Sequence, residues 1–172
     1  MATEIKLIIL EREPKAHADG SVPGILHVGD RAFPTIERGG TYVSLKTGDY
    51  RMEHSWKQSG RRVKCLRPIE PNKAFLRKKE KSVESILIHD AFKDNSTELE
   101  GCISPGMRKK PGRGMGILDA AEAMEEIWEL LGGFREGTEI TLHVLNNVPD
   151  DSQTKETWDR VRNLSIRKLM RA

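Results

Sequence analysis

Two side chains in this sequence have the types that nucleophilic chemistry needs, at a spacing that could join them. His89 closes the apolar run Ile86-Leu87-Ile88, and Cys102 follows Gly101 at the far side of a polar stretch, with residues 90–101 between the two. A cysteine thiol has an unperturbed pKa of about 8.5, so a neighbouring imidazole that raises the thiolate fraction makes it reactive near neutral pH. A rigid strand end offering the imidazole and a glycine turn offering the thiol would bring them within hydrogen-bond reach. Gly101 would leave room beside the sulfur for a substrate carbonyl, and the backbone N–H groups of Cys102 and Ile103 could hold the developing oxyanion. From spacing alone, the same two residues also read as a small buried hydrophobe and a satisfied strand-end histidine.

The elements that must position this pair are mostly strands. Residues 5–12, IKLIILER, are rich in β-branched and aliphatic side chains and predict a first strand ending in the turn-forming run EPKAHADGSVPG. GILHVGDRAFPTIE predicts a hairpin about Gly29-Asp30. Gly39-Gly40-Thr41-Tyr42-Val43-Ser44-Leu45 predicts a strand after a glycine bend, and 61–69 another, with a polar loop between them. VESILIHD, 83–90, is apolar on both faces at Ile86, Leu87 and Ile88, which places it inside a sheet.

From 91 to 116 the periodicity is lost, which predicts a long loop of a length uncommon unless functional. Ile117, Leu118, Ala121, Met124, Ile127, Trp128 and Leu131 then recur at helical steps, and Gly132-Gly133 stops the helix. Residues 137–147 predict a last strand with Ile140, Leu142 and Val144 on one face. Beyond it, Trp158, Val161, Leu164 and Ile166 or Leu169 predict a short amphipathic helix that docks on a partner or folds back. The expected architecture is mostly β (α+β): a compact sandwich or barrel-like domain over 1–148 with one main helix, and an amphipathic appendage over 149–172.

A chain of 172 residues is about one domain, long enough to bury a core without disulfides or metal. The 29 basic and 26 acidic residues nearly balance, so position matters more than total. Basic side chains gather at Arg61, Arg62, Lys64 and Arg67, at Arg77, Lys78, Lys79 and Lys81, and at Arg108, Lys109, Lys110 and Arg113. These runs could meet an anionic polymer or be solvated loops. Trp56, Phe75 and Phe92 give them no regular stacking platform, which argues against nucleic acid.

Two cysteines, Cys65 and Cys102, make no disulfide framework, so a reducing compartment is the default. The apolar run behind Lys6 is four residues long, with acidic residues behind it, and fits neither a signal peptide nor a membrane helix. The expectation is cytoplasmic synthesis, with a virion or a secretion machine as the route if the protein reaches the envelope. His54, His143, Cys65, His89 and Cys102 lack any short pair at metal-ligand spacing, so neither a metal nor another cofactor is expected. Pro111-Gly112-Arg113-Gly114-Met115-Gly116 lacks the lysine followed by Ser/Thr of a phosphate loop and reads as a hinge.

Ile86-Leu87-Ile88-His89-Asp90, followed by Ser96-Thr97-Glu98-Leu99-Glu100-Gly101-Cys102-Ile103, resembles the L,D-transpeptidase pattern of a strand ending in His, a Ser/Thr-containing loop and Gly-Cys-Ile or Gly-Cys-Val. It is more closely similar to an uncharacterised phage- and bacteria-associated domain family, a compact relative of those enzymes. Gly39-Gly40-Thr41-Tyr42-Val43 is similar to their glycine-aromatic segment, and Asp119-Ala120-Ala121 with Gly137-Thr138-Glu139-Ile140-Thr141 to their closing helix and strand. The resemblance spans roughly residues 5–145. It implies a β-rich fold, a site of Cys102 as nucleophile, His89 as base and Gly101 beside them, and an acyl-enzyme route on peptidoglycan stem peptides.

Two positions depart from the pattern. Those enzymes usually carry His or a small polar residue directly before Gly-Cys and an Arg shortly after it, whereas this chain has Glu100 and Ser104. A carboxylate beside the thiol opposes thiolate formation. Arg108 or Arg113 could supply the arginine. The alternative expectation is a non-catalytic structural or interaction module on the same scaffold, such as a phage virion component or an effector-associated protein, which engages its assembly through the tail.

Overall fold

The computed structural model describes residues 5–14, 16, 21–38, 45–57, 63–69, 76–79, 82–91, 99, 102–110, 116–133 and 139–146. In chain order these form β1 (Leu7–Arg12), β2 (Ser21–Val28), β3 (Arg31–Arg38), β4 (Gly48–Lys57), β5 (Val63–Pro68), β6 (Leu76–Lys79), β7 (Ser82–Ser85), β8 (Ile88–His89), β9 (Ile103–Pro105), β10 (Arg108–Lys109), β11 (Ile117–Leu118), α1 (Ala120–Leu130) and β12 (Ile140–Leu145). Eight strands close a barrel in the order β1-β12-β4-β5-β8-β9-β3-β2, and closure leaves it no sheet edge. Neighbours are antiparallel except β1 with β12 and β8 with β9, which are parallel. The pairs β6-β7 and β10-β11 stand outside the barrel as two-stranded ribbons.

The two-residue strand period puts every second side chain inside. Ile8, Leu10, Leu26, Val28, Phe33, Tyr50, Met52, Leu66, Ile88, Ile103, Ile140, Leu142 and Val144 make one core cluster, joined by Ala123, Met124, Ile127 and Leu131 of the helix segment. Glu125 and Glu126 of α1 pair with Lys64 on β5 and Arg31 on β3, so the helix is tied to two barrel strands. Its end is set by glycine. Gly132 and Gly133 take φ of 88° and 71°, and the Gly133 N–H reaches back to the Trp128 carbonyl at 2.8 Å, a left-handed stop that a Cβ would strain.

The inside is not wholly apolar. Glu37 and Arg12 follow the inward positions of β3 and β1, and Arg12 is 0% exposed. Its Nε and Nη2 each donate to a Glu37 carboxylate oxygen at 2.7 Å, while Nη1 donates to the Asn146 carbonyl at 3.0 Å. The Asn146 side chain returns a bond to the Arg12 carbonyl at 3.2 Å. By register this polar group lies at the β12 C-terminal end, and Trp128 of α1 packs on His54 toward the other.

Several expectations shift. The hairpin at Gly29-Asp30 forms, but β2 starts at Ser21, inside the stretch read as a loop, with Pro23 paired opposite Ile36. The polar loop expected between 45 and 61 is the ten-residue strand β4. The strand expected over 83–90 divides: Ser82–Ser85 pairs with β6, and only Ile88–His89 joins the barrel. Ile117 and Leu118 form β11 and not the helix start, and Ala121 is exposed. The expected loop over 91–116 contains β9 and β10. The strand expected at 39–44 and the appendage 149–172 lie outside the described residues. Among the described residues, no helix is long and apolar enough to cross a membrane.

Gly106 links β9 to β10 where a side chain does not fit. A Cβ there would sit 2.6 Å from the Ile117 Cβ and 2.9 Å from the Leu118 carbonyl oxygen. Gly106→Ala is expected to destabilise by about 1–3 kcal/mol, the usual cost of forcing packed atoms apart, read as an earlier denaturant midpoint at unchanged slope. An unchanged midpoint would count against this packing.

Candidate active site

His89 ends β8 and Cys102 immediately precedes β9, its parallel neighbour, with Ile88 opposite Ile103. Both isoleucines point into the main core, so alternation turns their neighbours Leu87, His89, Cys102 and Ser104 to the outer face of the barrel. That face carries a second cluster of Ile36, Ala91, Leu99, Cys102, Ile117 and Ala120, with Leu87 against it. The structure therefore brings His89 and Cys102 to one outer face, where Ala91, Leu99, Ile117 and Ala120 cluster with Cys102. Both are covered: Cys102 is 7% exposed and His89 2%.

The sulfur and the imidazole each have a backbone partner. Leu87 donates its N–H to Cys102 Sγ at 3.4 Å, and Leu87 also accepts from the Ile103 N–H through its carbonyl, at 2.9 Å. Leu87 thus holds the start of β9 on both sides of Cys102. His89 Nδ1 lies 2.7 Å from the Asp90 carbonyl oxygen. A carbonyl only accepts, so Nδ1 carries the proton in the neutral ring and Nε2 is the basic nitrogen. Cys65 sits directly opposite His89 on β5. Both cysteines are buried thiols.

The remaining expectations fare differently. The Ile103 N–H does not serve as an oxyanion donor, because parallel pairing with β8 commits it to Leu87. Gly101 and Glu100 lie outside the described residues, as does Arg113. Arg108 is 71% exposed and pairs with Asp119 at 3.5 Å. Of the basic runs, Lys64 is paired with Glu125, Arg67 with Glu53 at 3.1 Å, and Lys109 with Glu13 at 2.9 Å, which offsets charge that an anionic polymer would need.

His143 pairs with Asp49, and His27 faces Glu11 at 3.5 Å. Among the described residues, no three His, Cys, Asp or Glu side chains are gathered to hold a metal ion. Two residues that spacing did not single out as partners belong to the site. They are Asp90, through its carbonyl, and Ser104, whose Oγ accepts from the Ala91 N–H at 2.9 Å. A signal for Ser104 was present, since it stands near where the resemblance expects arginine.

No protein-family model, curated protein or solved structure matches this chain.

Proposed function

We propose that the protein is a cysteine acyl-transferase or peptidase of the L,D-transpeptidase kind, acting on peptidoglycan stem peptides with Cys102 as nucleophile and His89 as base. The observation that carries the reading is the Leu87 N–H aimed at Cys102 Sγ, on the same face of the barrel as a histidine whose Nδ1 is committed to the Asp90 carbonyl. A hydrogen bond donated to sulfur favours the thiolate over the thiol, because a donor binds the charged form more strongly. Nε2 is then the nitrogen able to take the thiol proton. Thiolate attack on a peptide carbonyl forms the C–S bond. The imidazolium next gives its proton to the leaving amine as the C–N bond breaks, and an acceptor amine or water releases the acyl group from sulfur.

The test is the pH dependence of Cys102 alkylation in full-length protein carrying Cys65→Ser, with and without His89→Ala. Reactivity is expected to persist below the ordinary thiol range and to fall with His89, and Cys102→Ala is expected to abolish acylation by muropeptides or a β-lactam while the barrel stays folded. A Cys102 that behaves as an ordinary buried thiol in both backgrounds would sink the reading.

Burial of the pair favours a second reading, in which the scaffold serves as an interaction module of a phage or secretion assembly. That reading expects wild-type and Cys102→Ala chains to bind the same assembly through 149–172. Equal binding after removal of that segment counts against it.

A further inference from the structure

The peptide unit joining Asp90 to Ala91 is held from both sides, and its second anchor is a residue to which neither the reaction nor the resemblance gives a role. The Asp90 carbonyl accepts from His89 Nδ1 at 2.7 Å. On the other edge of the same peptide, the Ala91 N–H donates to Ser104 Oγ at 2.9 Å. Ser104 Oγ in turn donates to the Pro105 carbonyl at 3.2 Å. A hydroxyl has one proton and two lone pairs. With the proton turned to Pro105, a lone pair is presented to Ala91, and the direction of the whole chain is fixed.

Ser104 is 0% exposed and belongs to β9, which is paired with β3 on one side and β8 on the other. Its oxygen is therefore a fixed point of the barrel wall. The peptide unit is planar, so the Asp90 C=O and the Ala91 N–H turn together. If the N–H lets go of Ser104, the carbonyl can swing off the imidazole, and the contact that favours the proton on Nδ1 is weakened.

We propose that Ser104 is a positioning residue that keeps His89 in the Nδ1-protonated tautomer by holding the Asp90–Ala91 peptide. This rests on the reading of His89 as the base, since only then does the tautomer matter to Cys102. A purely structural Ser104, present to satisfy one buried N–H, would affect stability and leave the imidazole unchanged.

The experiment uses full-length protein with ¹⁵N-labelled histidine in the wild type, Ser104→Ala and Ser104→Thr, each checked for a cooperative thermal transition. Wild type is expected to show one neutral His89 tautomer, protonated at Nδ1. Ser104→Ala is expected to populate the Nε2-protonated form as well, and Ser104→Thr, which keeps the hydroxyl, to restore the single form. Alkylation of Cys102 near neutral pH is expected to slow about tenfold or more in the alanine variant, the scale on which a misdirected general base is felt, and to recover with threonine.

A folded Ser104→Ala protein with the wild-type tautomer overturns the assignment. Should that variant fail to fold, amide exchange in the wild type decides. Protection of the Ala91 N–H equal to that of the β9 amides supports the anchor, and exchange at the open-chain rate in an intact barrel overturns it. A shifted tautomer in a protein whose Cys102 is inert at every pH would remove the catalytic reading and leave Ser104 in this role.

Discussion

Replacing Glu37 by Leu while Arg12 is kept is expected to cost about 3–5 kcal/mol of stability, the range found when one partner of a buried ion pair is removed. Arg12 is 0% exposed and Glu37 1%, and the guanidinium spends two of its donors on that carboxylate. Without Glu37 a full positive charge stays inside the barrel with, among the described residues, the Asn146 carbonyl to receive it. The double variant Arg12→Met, Glu37→Leu is expected to recover part of the loss, because burying two uncharged side chains avoids the desolvation that the pair must offset. Recovery is incomplete, since Met leaves the Asn146 carbonyl without its Arg12 donor. Denaturant unfolding of the four proteins of this cycle measures the coupling. A single variant within about 1 kcal/mol of wild type, on the scale of an exposed pair, would mean that water reaches the site.

That ion pair also shows where sequence reasoning stops. β1 was legible from its aliphatic residues, and its alternation correctly turns Ile8 and Leu10 inward. Arg12 obeys the same alternation, but a charged residue at the end of a strand reads as the point where the chain meets solvent. Only a partner 25 residues away on β3 makes its burial tolerable, and single-strand periodicity carries no information about such a partner.

β4 was missed for the opposite reason. Tyr50, Met52, His54 and Trp56 alternate as a strand should, but Asp49, Arg51, Glu53 and Ser55 between them gave the segment the composition of a loop. One barrel face is solvated, so this is what such a strand looks like. Within VESILIHD the run Ile86-Leu87-Ile88 does face apolar clusters on both sides, with Ile86 and Ile88 in the main core and Leu87 against the second cluster. Its division between ribbon and barrel depends on hydrogen-bond partners, which hydrophobicity does not encode.

At the candidate site, residue types and spacing led to His89 and Cys102, and the parallel pairing of β8 with β9 puts them on one face. Backbone contacts were the part that could not be foreseen. The Leu87 N–H on sulfur and the commitment of the Ile103 N–H to the ladder follow from register, while the Asp90 carbonyl on imidazole is a contact between chain neighbours, and a one-residue slip of β9 would turn Cys102 to the other face. Ser104 was visible only as a departure from the expected arginine.

Stability is expected to fall as pH drops from about 6.5 to 4 by an amount traceable to His54. Its ring stacks on Trp128 at 5.3 Å, with Trp56 edge-on to the same indole at 5.1 Å. Neither of its ring nitrogens has a hydrogen-bond partner among the described residues. Burial lowers its pKa to about 4, since an imidazolium there would be stripped of water. A positive charge also lies at this stack: Lys64 Nζ is 5.0 Å over Trp128, partly offset by Glu125.

The sign follows from proton counts. Above pH 6.5 both folded and unfolded chains hold His54 neutral, and no stability is proton-linked. Below 6.5 the unfolded chain takes up a proton that the folded chain refuses until about pH 4, so unfolding is favoured across that window and the loss then levels off. A depression from 6.5 to about 4 corresponds to a loss of up to about 3 kcal/mol. His54→Phe keeps the stack and removes the titration, so its stability should fall less between pH 6.5 and 4. The exposed Arg51–Glu139 pair, whose carboxylate is held below its usual range by Arg51, weakens equally in both proteins and cancels from the comparison. Parallel stability curves for wild type and His54→Phe would mean that the imidazole accepts its proton as readily inside the barrel as outside, and that the contact between α1 and β4 is wetter than its packing implies.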